Sequence, residues 1–141
     1  MCSSDLIIIG GGGPRRTPRL AATYAAEFNM PFQSMERFRE QCDRVRGACD
    51  TIGRDPDSLV YSTALVVCVG ANDAEISRRA AAIGREPDEL RTNGVCGTPA
   101  EATERLRQWA AAGAERVYLQ VLDLTDTDHL ALVAEQVMPH L

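Results

Sequence analysis

The polar and apolar positions of this chain fall into two kinds of segment. Short, nearly uninterrupted apolar runs at residues 6–9 and 59–69 are typical of strands in a covered parallel sheet, and weaker strand patterns stand at 27–29 and 115–122. The longest helical segment carries its apolar side chains three and four residues apart: Met35, Phe38, Cys42, Val45, Cys49 and Ile52. Strand and helix alternate about four times, which predicts parallel strands joined by right-handed crossovers.

Capping residues predict where several helices begin and end. Ser34 is placed to cap the long helix, and Gly53 is placed to end it. Asn72 with Glu75, and the run Thr98-Pro99-Ala100-Glu101, both have the spacing of a capping box. These signals predict helices that open near residues 34, 72 and 98.

Four consecutive glycines follow the first apolar run, which reads as a strand buried on both faces. Glycine lets the backbone turn tightly beneath a ligand. Thr17 is the predicted N-cap of the next helix and Pro18 its first residue, so free N–H groups of that helix would point back at the glycines. Arg15, Arg16 and Arg19 crowd this helix start, where the macrodipole disfavours cations, so a phosphate or carboxylate is expected there. The alternative is a flexible turn with solvated arginines.

Two common glycine motifs are excluded by spacing. In a dinucleotide fingerprint a third glycine would stand where this chain has Arg15 or Arg16, and the acid expected about 20 residues later is missing. No glycine is followed by lysine, so there is no Walker motif. Any anion bound by these glycines is held in a different way.

Composition narrows the class of protein. The 141 residues suffice for one domain with a core, and the net charge of −5 argues against a nucleic-acid partner. No apolar run is long enough for a membrane span. The five cysteines are odd in number and have no CxxC spacing, which argues against a disulfide framework or a zinc site and favours a reducing cytoplasm. Cys42 and Cys49 stand seven apart on one helix face, about 10 Å along its axis, and are predicted core residues.

Other candidate chemistry is weak. An acidic loop and a histidine could be drawn as a metal cluster, but the segment lacks the glycine and glutamate of a calcium loop, so capping by Asp126 or Asp128 is preferred and no metal is predicted. That cluster consists of Asp123, Asp126, Asp128 and His129. Neither His129 nor His140 stands near a recognisable nucleophile. Cys96 falls in a predicted loop that could face a site, and Trp109 is a predicted core residue.

Several segments taken in order carry a family resemblance over nearly the whole chain beyond Leu6. The segments are residues 7–17, 24–29, 94–101, 117–121 and 137–139. Together they resemble the C-terminal half of the luciferase-like monooxygenase family, most closely its branch that uses the deazaflavin coenzyme F420. The resemblance implies an α/β fold in which residues 7–141 form the C-terminal half of a (β/α)8 TIM barrel, about four parallel βα units.

The resemblance also implies a function. It indicates part of a cytoplasmic F420-dependent oxidoreductase that transfers hydride to or from a small organic substrate and is a homo-oligomer at full length. Gly11, Gly12, Gly13 and Pro14 are the positions carried over as cofactor-binding, at the cofactor phosphate. An FMN-dependent monooxygenase using O2 is the first alternative, and a non-catalytic half-barrel module that binds a phosphorylated ligand is the second.

The resemblance covers only part of a barrel. A complete barrel needs about 250 residues, so the first four strands are expected to be missing, and with them the catalytic residues, which stay unassigned. Open sheet edges would then favour self-association. Residues 1–6 resemble a translated sequencing adapter and are expected to be a non-native start.

Overall fold

The computed structural model describes residues 6–141, in which strands and helices alternate. The strands are β1 (Ile8–Gly10), β2 (Glu27–Asn29), β3 (Val60–Val69), β4 (Val95–Gly97) and β5 (Arg116–Gln120). The helices are α1 (Arg16–Tyr24), α2 (Met35–Ile52), α3 (Asp73–Ala82), α4 (Pro87–Asn93), α5 (Pro99–Ala111) and α6 (Thr127–Gln136). Short 3-10 turns stand at Pro56–Ser58 and Met138–His140. The prediction that residues 1–6 are a non-native start concerns residues that, apart from Leu6, lie outside the described part of the chain. Cys2 also lies outside it.

The chain divides into two compact units, and β3 and β5 contribute residues to both. The first unit comprises residues 6–64 and 112–117. In it β1 pairs with β2 and β2 with β3, all in parallel, so that Gly10 stands beside Asn29 and Asn29 beside Ser62. Glu115, just before β5, donates its backbone N–H to the carbonyl of Tyr61 at 2.8 Å.

Helix α2 follows its predicted pattern except at its last residue: Ile52 was predicted in the apolar stripe, but it is 51% exposed where the helix ends. The Ser34 hydroxyl accepts a hydrogen bond from the Arg37 amide, and Gly53 ends the helix at φ 71°, a left-handed conformation that glycine adopts at no steric cost. Phe38, Cys42 and Cys49 are buried along one face. Burial of this stripe against the rest of the first unit is the main apolar contribution that the helix makes to stability.

Strand β1 is exposed, and the prediction that it is buried on both faces was wrong. Ile7 is 48% and Ile8 53% exposed. The strand stands at the end of the order β1-β2-β3-β4, so β2 covers only one of its edges within residues 6–141. An unbroken apolar run predicts burial in a complete sheet, and here the run lies at an edge.

The second unit comprises residues 65–111 and 118–141. In it β3 pairs in parallel with the short strand β4, and Cys68 stands beside Cys96 in the register. Residues from both strands, α3 and α4 form one apolar cluster: Cys68, Ile76, Ala80, Leu90 and Cys96. Strand β4 was not predicted. Cys96 lies in it, 7% exposed, so the prediction of a loop position for Cys96 was wrong.

The predicted caps of the second unit are present. The Asn72 side chain accepts from the Glu75 amide at the start of α3. At the start of α5, the Thr98 hydroxyl accepts from the Glu101 amide while the Glu101 carboxylate accepts from the Thr98 amide at 2.7 Å. Both helices therefore begin where a side chain satisfies a first-turn N–H group. Over the described part of the chain, no helix has the length and hydropathy to cross a membrane.

Candidate functional site

The glycine loop, residues 11–14, and Gly10 before it include three backbone positions that only glycine fits well. Gly11 has φ 123°, outside the range that L side chains favour. A Cβ on Gly10 would lie 2.9 Å from the Asn29 carbonyl oxygen, and a Cβ on Gly13 would lie 2.9 Å from Thr17 Oγ1. Gly12 differs, because its Cβ would meet only the end of a methionine side chain at 3.4 Å. The loop is thus closely packed on both sides of Gly12 and open at Gly12 itself.

Gln41, on α2, holds this loop in place. Its amide Nε2 donates to the carbonyl of Gly13 at 2.8 Å and to that of Gly11 at 3.2 Å. Its Oε1 accepts from Arg44 at 2.9 Å, and the side chain is 1% exposed. Every hydrogen-bonding atom of this buried amide therefore serves to fix the loop or to fix the amide.

The hydrogen bond between Gln41 and the Gly11 carbonyl determines the direction of the Gly12 N–H. All peptide bonds of the described chain are trans, so the C=O and N–H of the Gly11–Gly12 peptide point in opposite directions. Because the carbonyl is bound to Gln41, the Gly12 N–H is directed away from α2. Among residues 6–141, neither Gly12 nor Gly13 uses its N–H in a hydrogen bond. These two donors are available to a ligand.

Helix α1 adds further donors at the same place. It begins at Arg16, with Arg15 at the N-cap position and no side-chain cap, so the prediction that Thr17 is the N-cap was wrong. Thr17 lies inside the first turn, and its Oγ1 faces the glycine loop. The first turn contains no acidic side chain, and Arg15 and Arg16 are exposed. A helix start with uncapped N–H groups and nearby cations attracts an anion.

A polar network lies beside the loop, on strands β2, β3 and β5. Asn29 Nδ2 donates to Ser62 Oγ at 2.8 Å, and the Ser62 hydroxyl donates to Glu27 Oε1 at 2.5 Å. The other oxygen of Glu27 is paired with Arg116. Glu27 is 4% exposed and Ser62 fully buried. Since Asn29 is the register partner of Gly10, the network ends beside the residue that precedes the glycine loop.

The acidic loop of the second unit is structural. Asp126 caps α6 through the His129 amide at 2.9 Å and pairs with the buried Arg79 at 2.8 Å. Its hydrogen bond with Arg79 is the main reason why the pKa of Asp126 falls to about 2. The His129 ring accepts from the Val69 amide at 2.9 Å, and burial lowers the pKa of His129. Residues 6–141 contain no group of three or more metal-ligating side chains, and Trp109 is buried as predicted.

Sequence reasoning missed Gln41, Asn29, Ser62 and the Glu27–Arg116 pair. Gln41 carries a recognisable signal, because it stands three residues after Phe38 on the apolar face of α2. A lone amide in an otherwise apolar stripe needs buried partners, and loops are where such partners are found. The strand residues carry no comparable signal, since β2 has only three residues.

Comparison with known proteins identifies the fold. No protein-family model and no curated protein matches the chain. Among solved structures, an F420-dependent secondary alcohol dehydrogenase in complex with an F420-acetone adduct has a TM-score of 0.77 at 14% identity, over 96% of this chain and 48% of its own. EDTA monooxygenase from Chelativorans sp. BNC1 has a TM-score of 0.73 at 20% identity, over 95% and 43%.

A third solved structure binds a different cofactor. The oxygenating constituent of 3,6-diketocamphane monooxygenase from Pseudomonas putida, in complex with FMN, has a TM-score of 0.68 at 14% identity, over 96% and 49%. The chain spans about half the length of these enzymes. It has the fold of the C-terminal half of a (β/α)8 barrel, which confirms the predicted fold class and, at the level of the fold, the resemblance to the luciferase-like monooxygenases.

Proposed function

We propose that this chain is the phosphate-binding half of a deazaflavin- or flavin-dependent oxidoreductase of the luciferase-like family. The observation that carries the proposal is the geometry of the glycine loop. Its Gly12 and Gly13 amides make no hydrogen bond among residues 6–141, and the carbonyls of Gly11 and Gly13 accept hydrogen bonds from Gln41. The fold around it is shared with enzymes whose structures contain F420 or FMN. Both cofactors carry a phosphate, and a phosphate fits donors that converge at a helix start.

Each loop residue has a role in this proposal. Gly12 and Gly13 donate their amides to phosphate oxygens, and Gly11 provides the positive φ that turns the chain toward the ligand. Pro14 has no N–H, and its fixed φ directs the chain into α1. Thr17 Oγ1 and the first-turn amides of α1 complete the donor set. The exposed arginines supply the positive field that draws the anion in.

F420 is the proposed cofactor and FMN the alternative, since the phosphate site serves either. When bound, the cofactor supplies hydride transfer to or from a small organic substrate. This chain contributes the phosphate anchor and a buried polar network at the adjacent strand ends. Catalytic residues stay unassigned. We further propose a cytoplasmic location, to which the four buried free thiols are suited, and a homo-oligomeric state for the complete enzyme.

The test is a fluorescence titration of the 141-residue chain with F420 and, separately, with FMN. Gly12→Asp places a carboxylate in the cradle, and Gly12→Asn is its neutral, equally large control. Both fit sterically, because a Cβ at Gly12 has room and its φ lies outside the left-handed range. We expect saturable binding, weakened far more by Asp than by Asn. Equal effects of the two variants would contradict an anion site.

A module that binds a phosphorylated ligand without catalysis uses the same loop and is the second candidate. The observation that favours it is that the glycine loop and the start of α1 supply phosphate donors, while no catalytic role is assigned to any of residues 6–141. Hydride transfer distinguishes the two, because only an oxidoreductase consumes the reduced cofactor when a substrate is added. Cofactor binding without turnover over a broad panel of small alcohols, aldehydes and ketones would support the module.

A further inference from the structure

Cys68 and Cys96 face each other across two paired strands of the second unit. They are register partners in the parallel pair β3–β4, so their side chains leave the sheet on the same face. The Cys68 thiol donates to the Ile76 carbonyl at 3.7 Å. Neighbouring strands lie about 4.8 Å apart. Disulfides join Cα atoms about 4.4–6.8 Å apart, so a bridge between these two cysteines needs no movement of the strands.

The same chain contains a built-in contrast. Cys42 and Cys49 are also buried, but they stand seven residues apart on α2. Two helical turns separate them by about 10 Å, which is too far for a bridge. Burial raises the pKa of Cys42 to about 12, which keeps that thiol protonated and unreactive.

The surroundings of Cys68 favour its thiolate. A hydrogen bond from Cys96 lowers the pKa of Cys68, and the positive charges of Arg79 and Arg91 act in the same direction against the effect of burial. Arg79 is held nearby, since it donates to the carbonyl of Val69 at 2.8 Å and its side chain is only 7% exposed. The interaction with Cys68 raises the pKa of Cys96, and burial raises it further.

Each cysteine of the pair lines a cavity or a groove. Cys96 lines an open groove of about 530 Å³ between β4 and α5, with Glu101 and Gln108. Cys68 lines a cavity of about 10 Å³ with Arg79 and His129, room for one water-sized molecule. Glutathione is far too large for a cavity of this size, so the oxidant we consider is a small one, hydrogen peroxide.

We propose that Cys68 and Cys96 form a reversible disulfide when the protein meets hydrogen peroxide. The Cys68 sulfur attacks one peroxide oxygen, the O–O bond breaks, and the other oxygen leaves as water with the proton released by the thiol. The Cys96 sulfur then attacks the Cys68 sulfenic acid, the S–O bond breaks, and a second water leaves with the Cys96 proton. Two thiols thus lose two electrons and two protons, and peroxide is reduced to two waters. A dithiol reductant reverses the reaction by thiol–disulfide exchange.

The bridge ties together the ends of the segment that contains α3 and α4. It closes a loop over residues 68–96, which reduces the freedom of the unfolded chain. Oxidation is therefore expected to raise the temperature at which the second unit unfolds. The effect is independent of whether the glycine loop binds a cofactor.

Peptide mass spectrometry tests the proposal on the 141-residue chain carrying Cys2→Ser. The protein is treated with peroxide, alkylated in denaturant and digested with trypsin. Cleavage after arginine puts the two reactive cysteines in residues 55–78 and 92–105, and the two contrast cysteines in residues 40–44 and 47–54. We expect the first two peptides to be linked, with loss of two hydrogens, and to separate with dithiothreitol. The peptides of Cys42 and Cys49 should be alkylated throughout.

Single variants test the order of the steps. In Cys96→Ser, Cys68 should accumulate as a sulfenic acid that dimedone traps, and in Cys68→Ser the remaining Cys96 should react much more slowly. Circular dichroism establishes that both variants fold. Recovery of both cysteines as free thiols, at peroxide doses that oxidise a free cysteine peptide, would overturn the proposal. So would oxidation of either cysteine to sulfinic acid without a linked peptide.

Discussion

Gln41→Met isolates the contribution of one buried amide to the glycine loop. Methionine has a similar length and no branch, so it fills the same space without polar atoms. The substitution removes the donor to Gly13 at 2.8 Å and to Gly11 at 3.2 Å. It also removes the acceptor for Arg44, which has solvent access of its own.

The expected loss of stability depends on whether the Gly11 and Gly13 carbonyls can find other hydrogen-bond donors. A deeply buried acceptor that loses its partner costs about 1–3 kcal/mol. Gly11 and Gly13 are half-buried, so water can reach them and each loss lies near the lower limit. We expect Gln41→Met to lower the free energy of unfolding by about 2 kcal/mol. Because the Gly12 amide is no longer oriented, FMN affinity should also fall, by about tenfold or more.

Two measurements decide this prediction. Urea unfolding gives the change in stability, and a fluorescence titration of folded protein gives the FMN dissociation constant. Arg44→Met is the control, since it removes the outer hydrogen bond and leaves both contacts to the loop. Unchanged stability in Gln41→Met would show that the loop does not depend on Gln41. Lower stability with unchanged FMN affinity would show that the loop is not the phosphate site.

Three further outcomes follow from the structure. In thermal unfolding, Gly13→Ala should destabilise the fold by about 1–3 kcal/mol, whereas Gly12→Ala should be close to neutral. The reason is that only a Cβ on Gly13 meets a close contact. A larger loss of stability in Gly12→Ala than in Gly13→Ala would contradict the loop geometry. Burial lowers the pKa of His129, so its neutral form is favoured in the fold and the free energy of unfolding should decrease as the pH falls below about 6.5. His129→Gln should flatten this pH dependence, measured by urea unfolding at several pH values. An unchanged dependence of stability on pH would refute the prediction. Asp126 stabilises the fold above pH 3.8 and loses this contribution as the pH falls through about 2. Asp126→Asn keeps the cap but weakens the pair with Arg79, so it should remove that acid sensitivity, measured by circular dichroism. An acid transition identical to that of the unmodified chain would argue against this role.

The helices could be predicted from the sequence because their signals are local. Ser34, Asn72 and Thr98 each accept the amide three residues later, a pattern that depends on no distant residue. The exception is α1, where Thr17 is a good cap by residue type. The helix begins two residues earlier than predicted, at Arg16, so Thr17 lies in its first turn and the hydroxyl faces the glycine loop.

Burial depends on partners that the sequence pattern does not name. The apolar run before Gly10 predicts a covered strand, yet Ile8 is 53% exposed because one edge of β1 has no neighbour among the described residues. Strand β4 was missed because three residues are too few for a period to show. Cys96 was therefore predicted in a loop, although the pairing of β4 with β3 buries it.

The candidate site was predicted in part. Glycines, a helix start and arginines are adjacent in sequence, so Gly11, Gly12, Gly13 and Pro14 could be proposed from spacing and resemblance. Gln41 lies 28 residues beyond Gly13 and meets it only because α2 packs beside the loop. The Asn29–Ser62–Glu27 network likewise forms only when β2 and β3 pair.

A comparison of FMN with riboflavin isolates the contribution of the phosphate to binding, because the two ligands differ only in that group. Dissociation constants would be measured for the unmodified chain and for Gly12→Asp. We expect the unmodified chain to bind FMN at least about tenfold more tightly than riboflavin, and Gly12→Asp to abolish this preference. Equal affinity for the two ligands in the unmodified chain, or a preference that survives Gly12→Asp, would contradict a phosphate site in the glycine loop.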